Sequence, residues 1–193
     1  MTLLVCGLVI FLGTHSIGML ATAWRERMLA RLGVGAWKGV YALLSLAGFA
    51  LILYGFAQAR LQPVLLYQPP VWLRHVALLL MLPVFPLLFA ANLPGRIKTA
   101  FQHPMLAGVK FWALAHLLAN GRLHDVLLFG GFLVWAVFDR ISWKRRPPQT
   151  LRTAPPRPWN DALAVALGLL TYALFVMWAH VRLFGVAPLG FSM

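Results

Sequence analysis

The sequence predicts an all-α membrane protein, a polytopic bundle of about six transmembrane helices. Of its 193 residues, 61% are hydrophobic and only 11% are charged, whereas roughly 25% are charged in ordinary soluble domains. The apolar residues form blocks of about 20, the length at which an α-helix crosses a bilayer. A soluble domain of this length could not bury so much apolar surface. These observations exclude the class of soluble enzymes and binding domains.

Six apolar segments have the length and composition of membrane helices. The first, at about 2–23, ends in Ala21-Thr22-Ala23, which also resembles a signal-peptide cleavage site. No basic residues precede its apolar stretch, so we expect it to be retained as a helix. The other five are predicted at about 39–59, 71–92, 104–120, 126–141 and 160–184. We expect residues 1–193 to form a single transmembrane domain.

Local signals support the boundaries of the first four helices. Trp24 and the arginines that follow it predict a short interfacial helix before the second span. Pro83 and Pro86 should kink the third span, which is tolerated where neighbouring helices cover the freed carbonyls. Pro104 suits the first position of the fourth helix.

The second helix carries a stripe of small and polar residues at helical spacing. For this stripe we predict close helix–helix packing rather than contact with a ligand. Its members are Tyr41, Ser45, Gly48, Ile52 and Gly55.

The longest polar gap, at 140–160, is rich in proline, lysine and arginine. Such a segment should be extended and should lie near anionic lipid. The last helix follows it, with Asn160 as a plausible N-cap. Asp161 suits the positive end of that helix's dipole.

The distribution of basic residues predicts the orientation of the chain. The 17 lysines and arginines are divided unequally between the two sides of the membrane. One side, reached after the second, fourth and sixth helices, holds only Arg60, Arg74, Arg122 and Arg182. The positive-inside rule then puts the opposite side in the cytoplasm and both termini outside it. This topology accounts for the formal net charge of +13, so we expect membrane lipid and no nucleic acid as partner.

Two histidines inside apolar helices are the candidate site. An ionisable residue at membrane depth is costly, so it indicates function by default. His15 lies about 12 Å from the inner end of its helix, and His116 lies about 18 Å from Pro104, at 1.5 Å per residue. The two are therefore expected at one level near mid-membrane. His180 is expected nearer the outer face.

The helix faces around both histidines combine small residues with one aromatic residue. Such a surface leaves room for a flat macrocycle, and two imidazoles on facing helices commonly hold a haem iron. Helix packing through the same small residues is the alternative interpretation. The neighbours of His15 are Gly7, Phe11, Gly18 and Thr22, and those of His116 are Gly108, Trp112, Ala113, Ala119 and Asn120.

Other site chemistries have weaker support in the sequence. A zinc or di-iron site needs three or four ligands, and no carboxylate is expected near mid-membrane. Cys6 is the only cysteine, so no internal disulfide and no Cys-based iron–sulfur site is expected. Ser16 directly follows His15 and points elsewhere, which argues against a Ser–His nucleophile.

Five segments carry a resemblance to a known family. The most specific is the W-x-x-x-H-x-x-x-N-G pattern at Trp112–Gly121. The segments are FLGTHSIG (Phe11–Gly18), KGVYALLSL (Lys38–Leu46), HPMLAG (His103–Gly108), FWALAHLLANG (Phe111–Gly121) and LLFGGFLVWA (Leu127–Ala136). They resemble the NnrU family of bacterial membrane proteins, relatives of the plant and cyanobacterial 15-cis-zeta-carotene isomerase. The resemblance covers nearly the whole chain.

The resemblance implies a multi-pass protein of the bacterial inner membrane with a role in denitrification and nitric oxide metabolism. The related isomerase is thought to bind haem b through histidines in the segments that hold His15 and His116, and to act when the iron is reduced. Haem b would then be the cofactor here, with Gly18 and Trp112 beside it. His103 is a candidate for meeting a haem propionate, together with Arg96 or Lys98.

One residue departs from the isomerase pattern. Ala113 stands where the plant enzyme carries a cysteine that has been proposed as an alternative iron ligand. This puts ligand exchange of that kind in doubt, and carotene isomerisation with it.

Three functions are consistent with the sequence. The first is a haem b protein with a redox or nitric oxide related role. The second is a haem-dependent cis–trans isomerase of an apolar, carotenoid-like polyene. The third is a membrane accessory or assembly factor for denitrification enzymes that binds no cofactor.

Overall fold

The computed structural model describes residues 1–145 and 157–190. These residues form helices joined by short connections, with no β-strand among them; one isolated bridge pairs Leu65 with Arg122. The all-α prediction is confirmed. Most of the proline-rich gap predicted at 140–160 lies outside the described residues.

The described residues form nine α-helices and one π-helix. They are α1 (Thr2–Leu20), α2 (Thr22–Leu61), α3 (Trp72–Met81), α4 (Val84–Asn92), α5 (Arg96–Phe101), α6 (Pro104–Ala119), α7 (Leu123–Arg145), α8 (Asn160–Leu174), the π-helix Phe175–Ala179 and α9 (His180–Phe184).

Five helical stretches are long and apolar enough to cross a membrane, which confirms a multi-pass membrane protein. They are Thr2–Leu20, Thr22–Leu61, Trp72–Asn92, Leu123–Arg145 and Asn160–Phe184. The sixth predicted span is present as α6, an apolar helix of 16 residues, shorter than the about 20 that a bilayer requires. The orientation of the termini and the bacterial inner membrane stay predictions.

The helices group into two compact units. The first contains α1, α2 and α7, and the second contains α3 to α6, α8, the π-helix and α9. A single domain can contain two compact units, so this division does not test the predicted single transmembrane domain. That domain stays a prediction.

In the first unit, α1 packs against α2 through glycines. A Cβ atom added to Gly7 would lie 2.6 Å from the backbone nitrogen of Ile52, and one added to Gly48 would lie 2.8 Å from that of Phe11. Gly55 approaches the backbone of Leu4 in the same way. The packing predicted for the α2 stripe is therefore confirmed for Gly48, Ile52 and Gly55.

The interfacial helix predicted after Trp24 is present as the first part of α2. Ala21 leaves the helical conformation and ends α1. Within α2, Gly33 has φ 77°, a left-handed conformation that glycine adopts without steric cost. This residue separates the segment 22–32 from the spanning part of α2. Trp24 and Trp37, one from each part, contact edge to face at 5.7 Å between ring centroids.

In the second unit, the predicted kink at Pro83 is confirmed as the break between α3 and α4. The Leu82 N–H donates to the carbonyl of Leu79, three residues earlier, at 3.2 Å. In a regular α-helix it would donate to the carbonyl of Leu78, four residues earlier. The carbonyl of Leu78 accepts a hydrogen bond from the Tyr172 hydroxyl of α8 at 2.9 Å. A neighbouring helix therefore supplies a donor to the freed carbonyl of Leu78, as is required where a proline kinks a membrane helix.

The N-cap role predicted for Asn160 is wrong, whereas Asp161 lies in the first turn of α8 as predicted. Asn160 is the first residue of α8 rather than its N-cap, and its side-chain amide donates to the carbonyl of Pro94 at 2.8 Å. The Asp161 carboxylate accepts the backbone N–H groups of Arg96 at 2.7 Å and Ile97 at 3.0 Å. It therefore caps α5, a helix that the sequence analysis did not predict. The partners are 64 and 65 residues away, so no local pattern reveals them.

Candidate functional site

The imidazole of His15 is held in one orientation by a residue of its own helix. Its Nδ1 lies 2.7 Å from the carbonyl oxygen of Phe11. Because a carbonyl oxygen only accepts hydrogen bonds, Nδ1 carries the proton and Nε2 carries the electron pair in the neutral ring. The ring also stacks on the Phe11 side chain, with centroids 4.3 Å apart and planes at 28°.

Two further aromatic rings of the first unit surround His15. The Tyr41 ring of α2 lies 5.4 Å away with its plane at 62°, and the Trp135 ring of α7 lies 6.1 Å away at 90°. All three helices of this unit therefore contribute to the surroundings of the imidazole.

A cavity of about 460 Å³ opens beside His15 within the first unit. Its walls combine apolar and aromatic side chains with two cationic ones. They are His15, Ile17, Gly18, Arg25, Leu29, Val34, Trp37, Lys38 and Tyr41. A ligand with an apolar body and an acidic group matches this lining.

The small residues near His15 have two different roles. Gly7 contacts the backbone of α2, as described above, so its size serves helix packing. Gly18 lines the cavity, and a Cβ atom added to it would meet nothing within 4 Å. The space beside Gly18 is therefore open to a ligand, whereas the space beside Gly7 is filled by α2.

Besides Nδ1 of His124, two buried side-chain atoms in the same unit lack hydrogen-bond partners among the described residues. They are Nε1 of Trp135, which contacts the His15 ring, and Oγ of Ser45, one turn after Tyr41 on α2. Most buried polar groups have a partner, and an exception indicates an additional group such as a water molecule or a ligand.

His116 belongs to the second unit and repeats the arrangement of His15. Its Nδ1 donates to the carbonyl of Trp112 at 2.8 Å, which again leaves the electron pair on Nε2. The Trp112 ring lies 5.5 Å from the imidazole with the planes at 53°. Each histidine is thus anchored to the residue four positions earlier, and that residue is aromatic in both cases.

The small residues of α6 are packed. Ala113 is fully buried. A Cβ atom added to Gly108 would contact the carbonyl of Val84 on α4 at 3.4 Å and the side chains of Leu87 and Leu88 at 3.6 Å. On this helix the small residues support the packing interpretation.

The remaining predicted candidates also lie in the second unit. His103 occupies the N-cap position of α6, and Pro104 is the first residue of that helix as predicted. Lys98 donates from Nζ to the carbonyl of Ala91 at 2.8 Å. The backbone N–H of Arg96 binds Asp161.

His180 belongs to the second unit, as His116 does. It follows the π-helix Phe175–Ala179, which interrupts the last predicted span, and π-helical turns are frequent at functional sites. Its Nδ1 donates to the carbonyl of Val186 at 2.7 Å. Its charge would act on His116 in the same unit.

His124, the second residue of α7, is buried although it lies at a helix end. Its exposed fraction is 1%, and its Nδ1 has no hydrogen-bond partner in the part of the chain that the structure describes. Its Nε2 lies 3.6 Å from Oδ1 of the buried Asp125. The chain at 64–67 folds over this end of α7, with Leu123 N–H donating to the Val64 carbonyl at 2.8 Å. The Phe56 ring of α2 contacts the His124 imidazole edge to face at 5.1 Å between centroids, a contact that no local signal predicts.

Three residues that line the cavity were not predicted from the sequence to do so. They are Arg25, Trp37 and Lys38. The basic residues were interpreted only as topology signals. Gly33, at the point where α2 bends, is the one feature of the sequence that hints at their convergence.

No group of three or more His, Cys, Asp or Glu side chains that could hold a metal ion occurs in residues 1–145 and 157–190. A haem does not need such a group, because the porphyrin supplies the equatorial ligands and the protein only the axial ones. The imidazole of His15, with the cavity beside it, has the donor chemistry that fits a haem.

Comparison with known proteins gives one match. A sequence model of the family described as NnrU protein matches residues 3–188. The searches among curated proteins and among solved structures each found no match.

Proposed function

The chain belongs to the NnrU family, and on that premise we propose that it is a membrane protein that binds haem b, with His15 and His116 as iron ligands. The bound haem would supply reversible one-electron reduction. The proposed role is a redox function, related to nitric oxide or denitrification metabolism.

The observation that carries this proposal is the shared anchoring of the two imidazoles. Each donates Nδ1–H to a backbone carbonyl, at 2.7 Å for His15 and 2.8 Å for His116. Histidines that ligate metals characteristically donate their other ring N–H to a carbonyl or carboxylate, which fixes the tautomer and makes the ligating nitrogen more basic. In both neutral rings this hydrogen bond leaves the lone pair on Nε2, the nitrogen that would bind the iron.

The surroundings of His15 support the same proposal. The cavity beside it is partly apolar, and Gly18 leaves its wall open. The buried Nε1 of Trp135 also lacks a partner among the described residues. A structural histidine that only joined helices would need neither the open space nor the extra donor.

A redox role is favoured over the binding of nitric oxide, because His15 and His116 would both serve as iron ligands and leave no place for a further ligand. Nitric oxide could then bind only after one histidine is displaced. Adding nitric oxide to the reduced protein separates the two roles: a rapid and complete shift of the haem spectrum would favour the nitric oxide role.

The test is the absorption spectrum of the detergent-purified protein, produced with haem supplied during expression. We expect a Soret band with the spectrum of a haem that has two imidazole ligands. His15→Ala and His116→Ala should each perturb it, and His75→Ala, a change at an exposed histidine of α3, should not.

Two outcomes contradict the proposal. Without a Soret band the haem function fails, and the cofactor-free accessory function takes its place. Equal spectral changes in all three variants would show that His15 and His116 are not the specific ligands.

A further inference from the structure

The cavity beside His15 has a cationic end. Arg25 comes from the segment 22–32 of α2, and Lys38 comes from the part of α2 that follows the bend at Gly33. Both side chains line the cavity, Arg25 half-buried and Lys38 exposed. The left-handed backbone of Gly33 is what turns these two parts of one helix toward the same space.

No protein carboxylate neutralises this end of the cavity. None of the four acidic residues of the chain is among the lining residues. Neither Arg25 nor Lys38 forms an ion pair with another described residue. The charge of Asp139, on α7, does act on the Tyr41 phenol together with that of Arg25, but Asp139 lies outside the lining. Two cations therefore face a partly apolar cavity without an acidic partner in its walls.

We propose that Arg25 and Lys38 bind the carboxylate groups of the ligand in this cavity. The assignment rests on the proposed function, in which those groups are the two propionates of the haem. The guanidinium of Arg25 can bind a carboxylate through two parallel hydrogen bonds, and Lys38 adds a point charge. The apolar part of the ligand then faces His15, Gly18 and Trp37.

A contact in the second unit favours Arg25 and Lys38 over Lys98, one of the predicted partners of the propionates. The ammonium group of Lys98 is bound to the carbonyl of Ala91. Arg25 and Lys38 have no comparable protein acceptor within the described residues, and they share one cavity with His15.

The experiment titrates the haem-free protein, in nanodiscs of phosphatidylcholine, with iron protoporphyrin IX and with its dimethyl ester. The ester keeps the macrocycle and the iron but removes both carboxylate charges. We expect the wild-type protein to bind the diacid about tenfold more tightly than the ester, a typical effect of charge-assisted hydrogen bonds. The Arg25→Gln/Lys38→Gln double variant should bind both compounds with the affinity that the wild type shows for the ester.

A matched control comes from the same interfacial segment. Arg27 and Arg31 are cations of this segment outside the cavity lining, and Nε of Arg27 donates to the carbonyl of Ala23. The Arg27→Gln/Arg31→Gln double variant should keep the wild-type preference for the diacid. A loss of preference in this control would show a general effect of surface charge and would overturn the inference.

The outcomes separate this inference from the proposed function. Equal affinity of the wild type for diacid and ester, with a Soret band that depends on His15, overturns the inference and leaves haem binding standing. Absence of a Soret band with both compounds refutes the proposed function itself. The same titration in nanodiscs of phosphatidylglycerol forms the second arm. If the wild type no longer prefers the diacid over the ester there, a lipid phosphate occupies the cationic end of the cavity. The assignment of this end to the propionates is then wrong.

Discussion

The ring of His15 stacks on the ring of Phe11 at 4.3 Å between centroids, and its Nδ1 donates to the carbonyl oxygen of the same residue at 2.7 Å. One residue therefore restricts the imidazole both through its backbone and through its side chain. The hydrogen bond selects the tautomer, and the stacking limits the rotation of the ring.

Phe11→Leu should loosen the imidazole of His15 without removing its hydrogen bond, because the acceptor is a backbone atom. The affinity for haem should fall by several-fold, and the axial-ligand signals in the electron paramagnetic resonance spectrum should broaden. Phe49→Leu is the control, since that ring contacts Phe11 at 6.2 Å and no ring contact links it to His15 among the described residues. If both variants bind haem as the wild type does, stacking on Phe11 has no part in positioning His15.

Gly18→Phe should block the cavity and abolish haem binding. The added side chain has room, because nothing lies within 4 Å of a Cβ atom at this position, so the variant should fold. Gly13→Phe is the matched control: it lies on the same helix, equally without neighbours, and outside the cavity lining. The measurement is the ratio of Soret to protein absorbance, with gel filtration to verify folding. Normal haem content in Gly18→Phe would contradict the placement of the ligand beside Gly18.

The spanning helices could be predicted from the sequence because apolar length is a local property. The roles of individual small residues could not. Gly7 and Gly18 both flank His15 on one helix face, yet only Gly7 contacts the backbone of α2. Which glycine packs and which one lines a cavity depends on where the neighbouring helix crosses, and that is a tertiary relationship.

The same limit explains the errors at the helix ends. Asn160 has the pattern of an N-cap, but its amide donates to the carbonyl of Pro94. Asp161 lies in the first turn of α8 as predicted, and its carboxylate also accepts the N–H groups of Arg96 and Ile97. His124 sits at a helix end, where side chains are usually solvated, but it is buried, and the Phe56 ring of α2 contacts its imidazole. Both cases require contacts between segments far apart in the sequence.

The glycine contacts also predict a difference in stability that does not depend on any cofactor. Gly7→Ala should destabilise the first unit by about 2 kcal/mol, because its Cβ atom would lie 2.6 Å from the Ile52 nitrogen and force α1 and α2 apart. Gly13→Ala meets no neighbour and should be stabilising by about 0.5–1 kcal/mol through helix propensity. Unfolding in mixed micelles with increasing dodecyl sulfate measures both. Equal effects of the two substitutions would show that α1 and α2 do not pack through Gly7.

Tyr172→Phe should destabilise the second unit by about 1–2 kcal/mol. The substitution removes only the hydroxyl that donates to the Leu78 carbonyl at 2.9 Å. That carbonyl lacks its usual partner because Leu82 N–H bonds to Leu79 at the Pro83 break, and no water inside a bilayer can replace the lost donor.

Tyr54→Phe is the control, since Tyr54 is 58% exposed on α2 and should change the unfolding free energy by less than about 0.5 kcal/mol. If Pro83→Ala restores the Leu82–Leu78 hydrogen bond, Tyr172→Phe should cost less in that background than in the wild type. An undiminished cost there would mean that the tyrosine stabilises the unit in some way other than by covering the freed carbonyl.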